Sequence, residues 1–458
     1  MNQNENKMAV MPIRRLLIHM SWPPMLSMLI QALYNMVDSI FVAQINEAAF
    51  IALSLCFPVQ TLMTAIQAGT GIGVNAMISR RLGENRPEEA GVMAVNGVFL
   101  YLMSWLSFLA FGLFLSRPFM MLYSKDPVVI EYGVQYLTIV TAMSLGSCMQ
   151  FTGERILQAT GNAIGPMLIQ GIGAIVNLIL DPIMIFGLFG FPRLEVAGAA
   201  MATGLGQIVG MGIALVLVSR NRVIKLPIRG FRPSGPVVQE IYHIGMPAIA
   251  MQSLFTLMTL GMNKILDLFT DTGVFIMGAY FKIQSFIFMP VFGLNNGLTP
   301  VVSFNYGAKN KTRVVGLIRF AVAIAAAVML GGILIFQLFP HVLLSFFDAD
   351  QATLDAGVRV LRILSLSFLP CGITLVLCTA FQALGSAMLS FGLSIIRQVV
   401  ILMPLTMALG LLAGPDMLWW SFCISESIGF VAALVLYRWI YRTKIADLDR
   451  LPTPEEKE

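Results

Sequence analysis

The sequence predicts an all-α polytopic membrane protein: twelve transmembrane helices in two six-helix lobes, each lobe a parallel copy of the other. Three observations carry that prediction. Of 458 residues, 57% are hydrophobic and only 12% are charged, with a mean hydropathy of +0.81; a soluble core has no room for so much apolar side chain. The apolar residues gather into runs long enough to cross a bilayer, for which about 20 residues suffice. A shift of 224 positions then lays the second half of the chain over the first.

In chain order, the spans fall near 16–43, 50–80, 92–115, 128–159, 164–189, 196–219, 238–268, 274–304, 313–338, 352–382, 388–413 and 417–441. Many contain proline, as at Pro23-Pro24, Pro58, Pro182, Pro290 and Pro370; transmembrane helices tolerate such breaks when neighbours satisfy the freed backbone groups. The polar N-terminus has no short apolar core with a small-residue cleavage site, so the first helix is expected to insert without a cleaved signal. Of the 29 Lys and Arg residues, 21 fall to one side of this topology, including Arg80, Arg81, Arg220, Arg222, Lys311, Arg313 and Arg442. The positive-inside rule then puts both termini in the cytoplasm. These basic residues are dispersed among the loops, which excludes a nucleic-acid surface. Five cysteines, none in a CxxC pair, and three scattered histidines exclude a disulfide framework, a zinc site and an intramembrane enzyme built on clustered His.

At the 224-residue offset His19 meets His243, Pro23 meets Pro247, Gly83 meets Gly307, and Gln158, Ala159 and Gly161 meet Gln382, Ala383 and Gly385. Six spans per unit is an even number, so both units start from the same side and the repeat is parallel, with a pseudo-two-fold along the membrane normal. The expected division is an N-terminal lobe over 1–219, a basic linker over 220–236, a C-terminal lobe over 237–445 and a tail over 446–458.

Polar residues inside the spans mark the functional face. Gln31, Asn35 and Asp38 recur at i, i+4 and i+7 with Tyr34 beside them, one stripe of one helix. Asn177 and Asp181 repeat the pattern at i, i+4 on the fifth span, and Thr203 adds a hydroxyl. A carboxylate at such depth is costly and marks function by default. If the first and fifth spans are neighbours, Asp38 and Asp181 repel one another in an apolar lobe, which calls for a proton or a cation such as Na+ between them. Gln31, Tyr34 and Asn35 then line the route from that site to a cleft. Glu154 has two readings, a relay member or a local partner of the adjoining Arg155. Lys282 and Arg397 likewise either line the cleft or lock lobe structure. At the same offset Asp38 becomes Met262, Glu154 becomes Cys378 and Asp181 becomes Leu405; that asymmetry puts ion chemistry in the N-terminal lobe.

Several motifs together resemble one family, the multidrug and toxic compound extrusion (MATE) transporters. They are Tyr34-Asn-Met-Val-Asp38 in the first span, Gly71-Ile-Gly-Val-Asn75 and Arg81-Leu-Gly83 around the end of the second, Leu157-Gln-Ala-Thr-Gly161, Asn177-Leu-Ile-Leu-Asp181-Pro and Gly198-Ala-Ala-Met-Ala-Thr203. The resemblance covers essentially the whole chain. It implies a V-shaped two-lobe fold and H+- or Na+-coupled antiport of amphipathic, often cationic organic compounds, with no enzyme activity and no further cofactor. It also implies that Asp38, Asn177, Asp181 and Thr203 match the first-lobe ion network of prokaryotic members. Glu154 departs from the family pattern. The second-lobe acids of another branch are missing, where this chain has Gln252, Lys264, Ser365, Ser367 and Cys371. The expected setting is the prokaryotic cytoplasmic membrane, as a monomer among membrane lipids. The alternative is a flippase for a lipid-linked or polymer precursor on the same fold.

Overall fold

The computed structural model describes residues 7–43, 45–227, 231–270, 272–345 and 351–450, with the side chains of 34–40, 42, 43, 47, 351, 352 and 450 left out of the description. Six long helices form the first half: α1 Ile13–Ala43, α2 Glu47–Gly83, α3 Pro87–Tyr123, α4 Pro127–Ala159, α5 Ile164–Phe186 and α6 Glu195–Ser219. The second half repeats them as α7 Gly235–Phe269, α8 Gly273–Gly307, α9 Lys311–Leu338, α10 in two pieces (Gln351–Ser365 and Phe368–Ala383), α11 Ala387–Ala413 and α12 Trp420–Ile445. Among the described residues eleven helices are long and apolar enough to cross a membrane, and the two pieces of α10 make a twelfth span.

Local chemistry sets the helix ends. Asn46 accepts from the Ala49 amide at 2.7 Å, Asp126 from Val128 at 2.8 Å and Asn310 from Arg313 at 3.0 Å, each satisfying an otherwise unpaired donor at a helix start. α5 stops at Phe186 rather than 189 because Gly187 turns left-handed at φ 74°. The tenth span, expected to run unbroken over 352–382, bends by 45° between Ser365 and Phe368. Pro370 is the cause: it has no amide to donate to Leu366, so the helical ladder restarts after it.

The repeat is present in backbone geometry. Asn85 and Lys309 share positive φ (61° and 58°), as do Gly161 and Gly385 (86° and 71°) and Gly190 and Gly414 (85° and 90°). Ser79 Oγ donates to the Ala159 carbonyl, and its counterpart Ser303 Oγ donates to the Ala383 carbonyl. Each pair is separated by the same 224 positions.

The chain forms two compact units, one of Leu26–Ile249, the other of Lys7–Met25 with Ala250 onward. The units therefore differ from the halves: each leading helix segment packs in the unit of the other half. In the first unit α7 crosses α2 so closely that a Cβ at Gly69 would lie 2.6 Å from the Ile249 amide nitrogen. In the second, α1 crosses α8, and a Cβ at Gly293 would lie 2.5 Å from the Met25 nitrogen. Gly69 and Gly293 are repeat counterparts, and so are Ile249 and Met25. Backbone against backbone leaves no space for a side chain, so Gly69→Ala should destabilise the protein by about 1–3 kcal/mol through overpacking. Thermal unfolding of the purified variant in detergent measures it, and an unchanged midpoint would mean that the crossing relaxes freely.

The surface is apolar as well as the core. Gln67, Asn75, Gln158, Glu154 and Asp181 are buried, while Phe57, Phe114 and Leu412 are exposed. An exposed apolar surface over a core that also holds polar groups suits a lipid surround. The chain is an integral membrane protein.

Candidate functional site

In the first unit α1, α4, α5 and α6 line a partly open cavity of about 80 Å³. That space holds a few water molecules or a partly hydrated ion, since one water requires roughly 10–15 Å³ by this measure; drug-sized ligands occupy pockets of about 300–1,000 Å³. Its lining is rich in neutral oxygen and amide groups: Ser27 and Gln31 from α1, Ser147 and Gln150 from α4, Gln170 and Asn177 from α5, and Thr203 and Gln207 from α6.

Two glycines explain how α5 and α6 approach here. A Cβ at Gly206 would lie 2.7 Å from the Gly173 carbonyl and 3.2 Å from Asn177 Cβ, so the helices touch through backbone. Thr203, one turn before Gly206, is thereby brought to Asn177, one turn after Gly173. Asn177 Nδ2 donates to Thr203 Oγ1 and to Asp181 Oδ1, both at 3.3 Å. Asn177 is 4% exposed and Asp181 1%. The buried Asn177 Oδ1 accepts no hydrogen bond among the described residues. An unsatisfied amide oxygen beside a carboxylate is a donor set for a hard cation, which takes oxygen ligands.

Glu154 lies behind the cavity and is fully buried. Gln150 Nε2 donates to its Oε1 at 3.0 Å and Gln170 Nε2 to its Oε2 at 2.8 Å. Arg155, adjacent in sequence, donates through Nη1 to Gln158 Oε1 at 2.9 Å and lies over the Phe151 ring. Since Gln150 and Gln170 also line the cavity, Glu154 is joined to it through two amides. Replacing Gln170 with Leu removes one donor from a buried carboxylate and should cost about 1.5–3 kcal/mol. The check is chemical or thermal unfolding against the parent; equal stability would mean that another group takes over the bond.

The structure brings Gln31, Glu154, Asn177, Asp181 and Thr203 to one region, with Gln31 and Asn177 showing that the first and fifth spans border a common cavity. The side chains of Tyr34, Asn35 and Asp38 lie outside the described residues, and with them the proposed pairing of Asp38 and Asp181. Lys282 is exposed on α8 in the second unit. Arg397 is buried in that unit and donates through Nη1 to Glu426 Oε2 at 2.8 Å. Sequence reasoning missed Gln150, Gln170, Gln207 and Glu426. The i, i+4 spacing of Gln150 and Glu154 was a signal for the first, and a carboxylate within an apolar run for the last.

A two-unit, twelve-span fold with a cavity lined by amide and hydroxyl side chains in one repeat defines the class, an integral membrane transporter built by duplication. The MatE family profile matches residues 23–183 and again 247–407, and the chain belongs to that family, whose members are MATE transporters and not enzymes. It is 28% identical over 412 residues to the FAD transporter of Shewanella oneidensis, covering 87% of this chain and 88% of that protein. It is 24% identical over 430 residues to the multidrug export protein MepA of Staphylococcus haemolyticus, covering 93% of each. A solved MATE structure in complex with MaL6 superposes with a TM-score of 0.89 over 98% of this chain and 100% of that one, at 24% identity.

Proposed function

We propose that the protein exports small organic compounds, amphipathic and often cationic, from the prokaryotic cytoplasm by cation-coupled antiport. The observation that carries this reading is the linked set of buried Asn177 and Asp181 with half-buried Thr203. Asn177 and Thr203 line an ion-sized cavity, and Asp181 is hydrogen-bonded to Asn177, whose Oδ1 accepts no hydrogen bond among the described residues. Na+ or H+ is the coupling ion, held by these three and by Asp38, which enters on its spacing in the sequence. The cavity is too small for the organic substrate, so ion and substrate compete through conformation rather than for the same atoms. A cation that binds one access state more tightly than the other shifts the population between them, and substrate follows by alternating access. Both termini are cytoplasmic in this reading, and the working form is a monomer among lipids.

The test is efflux from proteoliposomes, comparing a sodium gradient with a pH gradient and reading substrate-evoked ion movement. Efflux of cationic dyes indifferent to both gradients would end the proposal. Similarity to a FAD transporter over most of the chain favours a second reading, with an anionic flavin dinucleotide as cargo. Direct competition between FAD and a cationic dye separates the two, and competition by lipid-linked precursors would favour the flippase alternative.

A further inference from the structure

At the positions that line the first cavity the second unit replaces Gln31 with Phe255 and Asn177 with Ile401, while hydroxyls remain at Thr374, Ser394 and Ser427. Ser147 and Gly173 of the cavity correspond, 224 positions on, to Cys371 and Arg397. Arg397 Nη1 lies 3.7 Å from Cys371 Sγ, so the two counterparts meet. Gly173 packs on Gly206 in the first unit; Arg397 packs on Gly429, whose added Cβ would lie 2.7 Å from Arg397 Cδ. Glu426 and Gly429 each stand one residue before Ser427 and Phe430, the 224-position counterparts of Thr203 and Gly206. The cavity lining of the first unit thus maps onto the surroundings of one ion pair in the second.

That pair is enclosed. The Arg397 side chain is 6% exposed and Glu426 14%. Ser425 Oγ donates to the Arg397 carbonyl, tying α12 to α11 at this point. The backbone widens into π-helical turns over Ile396–Leu402, a departure from α geometry that often accompanies a functional residue. Arg397 Nε is buried without a hydrogen-bond partner among the described residues, so the guanidinium is positioned by Glu426 and packing rather than by a full set of acceptors.

We infer that Arg397 is a tethered cation, permanently occupying in the second unit the site that an exchangeable cation visits in the first, with Glu426 as its carboxylate. The buried site of the second unit is then charge-balanced at every stage of transport, and only the site of the first unit responds to ions. The inference rests on the reading of the first cavity as a cation site, but its consequence is local to the second unit: removing the guanidinium leaves a cavity with a carboxylate in it, a new site for a small monovalent cation.

The experiment uses the full-length protein in detergent with Asp181→Asn as the parent, which silences the first cavity. Arg397→Ala in that background should unfold at a lower temperature than the parent, and millimolar methylguanidinium, matched against tetramethylammonium for ionic strength, should restore the midpoint saturably. The parent should show no such shift, nor should Arg397→Ala combined with Glu426→Gln. Should Arg397→Ala not fold, Arg397→Lys and Arg397→Met supply the test in the otherwise wild-type chain. A tethered cation predicts dye efflux at least tenfold faster with Lys than with Met. The inference is overturned by a folded Arg397→Ala that ignores methylguanidinium, by equal rescue of the double variant, or by Met matching Lys. Loss of ion coupling in the wild type is read separately, by proteoliposome efflux, so failure of the first-unit reading leaves a different record from failure of this one.

Discussion

Asp181→Asn should leave the protein folded and abolish ion-driven efflux. The substitution keeps the side chain's size and its Oδ1 acceptor for Asn177 Nδ2, which lies 3.3 Å away in the native protein, so the α5–α6 contact persists. What it removes is a full negative charge beside a cavity of ionic size. A unit charge about 4 Å from a bound cation contributes roughly 4 kcal/mol at an effective dielectric constant near 20, which is on the order of a thousandfold in cation affinity. To move an access equilibrium from 1:99 to 99:1 a ligand must bind the favoured state about 10⁴-fold more tightly. A thousandfold loss therefore removes most of the driving force. In proteoliposomes the variant should retain downhill substrate exchange and show no acceleration by either a sodium or a pH gradient, with an unfolding midpoint near that of the wild type. Thr203→Val should reproduce the effect in weaker form, since it deletes a neutral oxygen and no charge. Wild-type coupling in Asp181→Asn would move the ion chemistry away from this cavity.

Some of this architecture was legible in the residues and some was not. Spans show because about 20 apolar residues in a row have few alternatives to a bilayer. The repeat shows because positions needing positive φ, such as Gly161 and Gly385, restrict residue choice in both copies. Asn177 and Asp181 show because an acid deep in an apolar run is expensive. Gln170 carries no such signal: a neutral amide is cheap enough to pass as ordinary, and its partner Glu154 lies on another helix, 16 residues earlier. Glu426 did carry a signal, a carboxylate within an apolar run, but its partner Arg397 lies 29 residues away on α11, a pairing no local spacing reveals. The bend in α10 escaped because hydropathy runs unbroken through Leu366-Ser367, and only the missing amide of Pro370 marks it. The exchange of leading segments between units escaped too, because it depends on which helix faces Gly69 and Gly293, and a glycine in a span reads the same whether it meets lipid or backbone.

The Arg397–Glu426 pair should give the largest stability effect in the second unit. Glu426→Ala strands a guanidinium that is 6% exposed, with one neutral sulfur at 3.7 Å as its remaining side-chain contact at Nη1. Breaking a buried pair from one side typically costs about 3–5 kcal/mol, because the surviving charge has neither water nor partner. Replacing both residues with apolar ones of similar volume, Arg397→Met with Glu426→Leu, removes the desolvation cost together with the attraction and should return stability to within about 1 kcal/mol of the wild type or above it. A double-mutant cycle from unfolding in detergent then yields a coupling energy of several kcal/mol. A coupling near zero would mean that water reaches the pair and screens it, since exposed pairs contribute only about 0–1 kcal/mol. Stability and charge separate in this cycle. The Met/Leu protein should be as stable as the native one while lacking the buried Arg397–Glu426 charge pair of its second unit. If it also exports substrate at the native rate, the tethered cation is dispensable, whereas a stable but slow transporter places its role in the transport cycle.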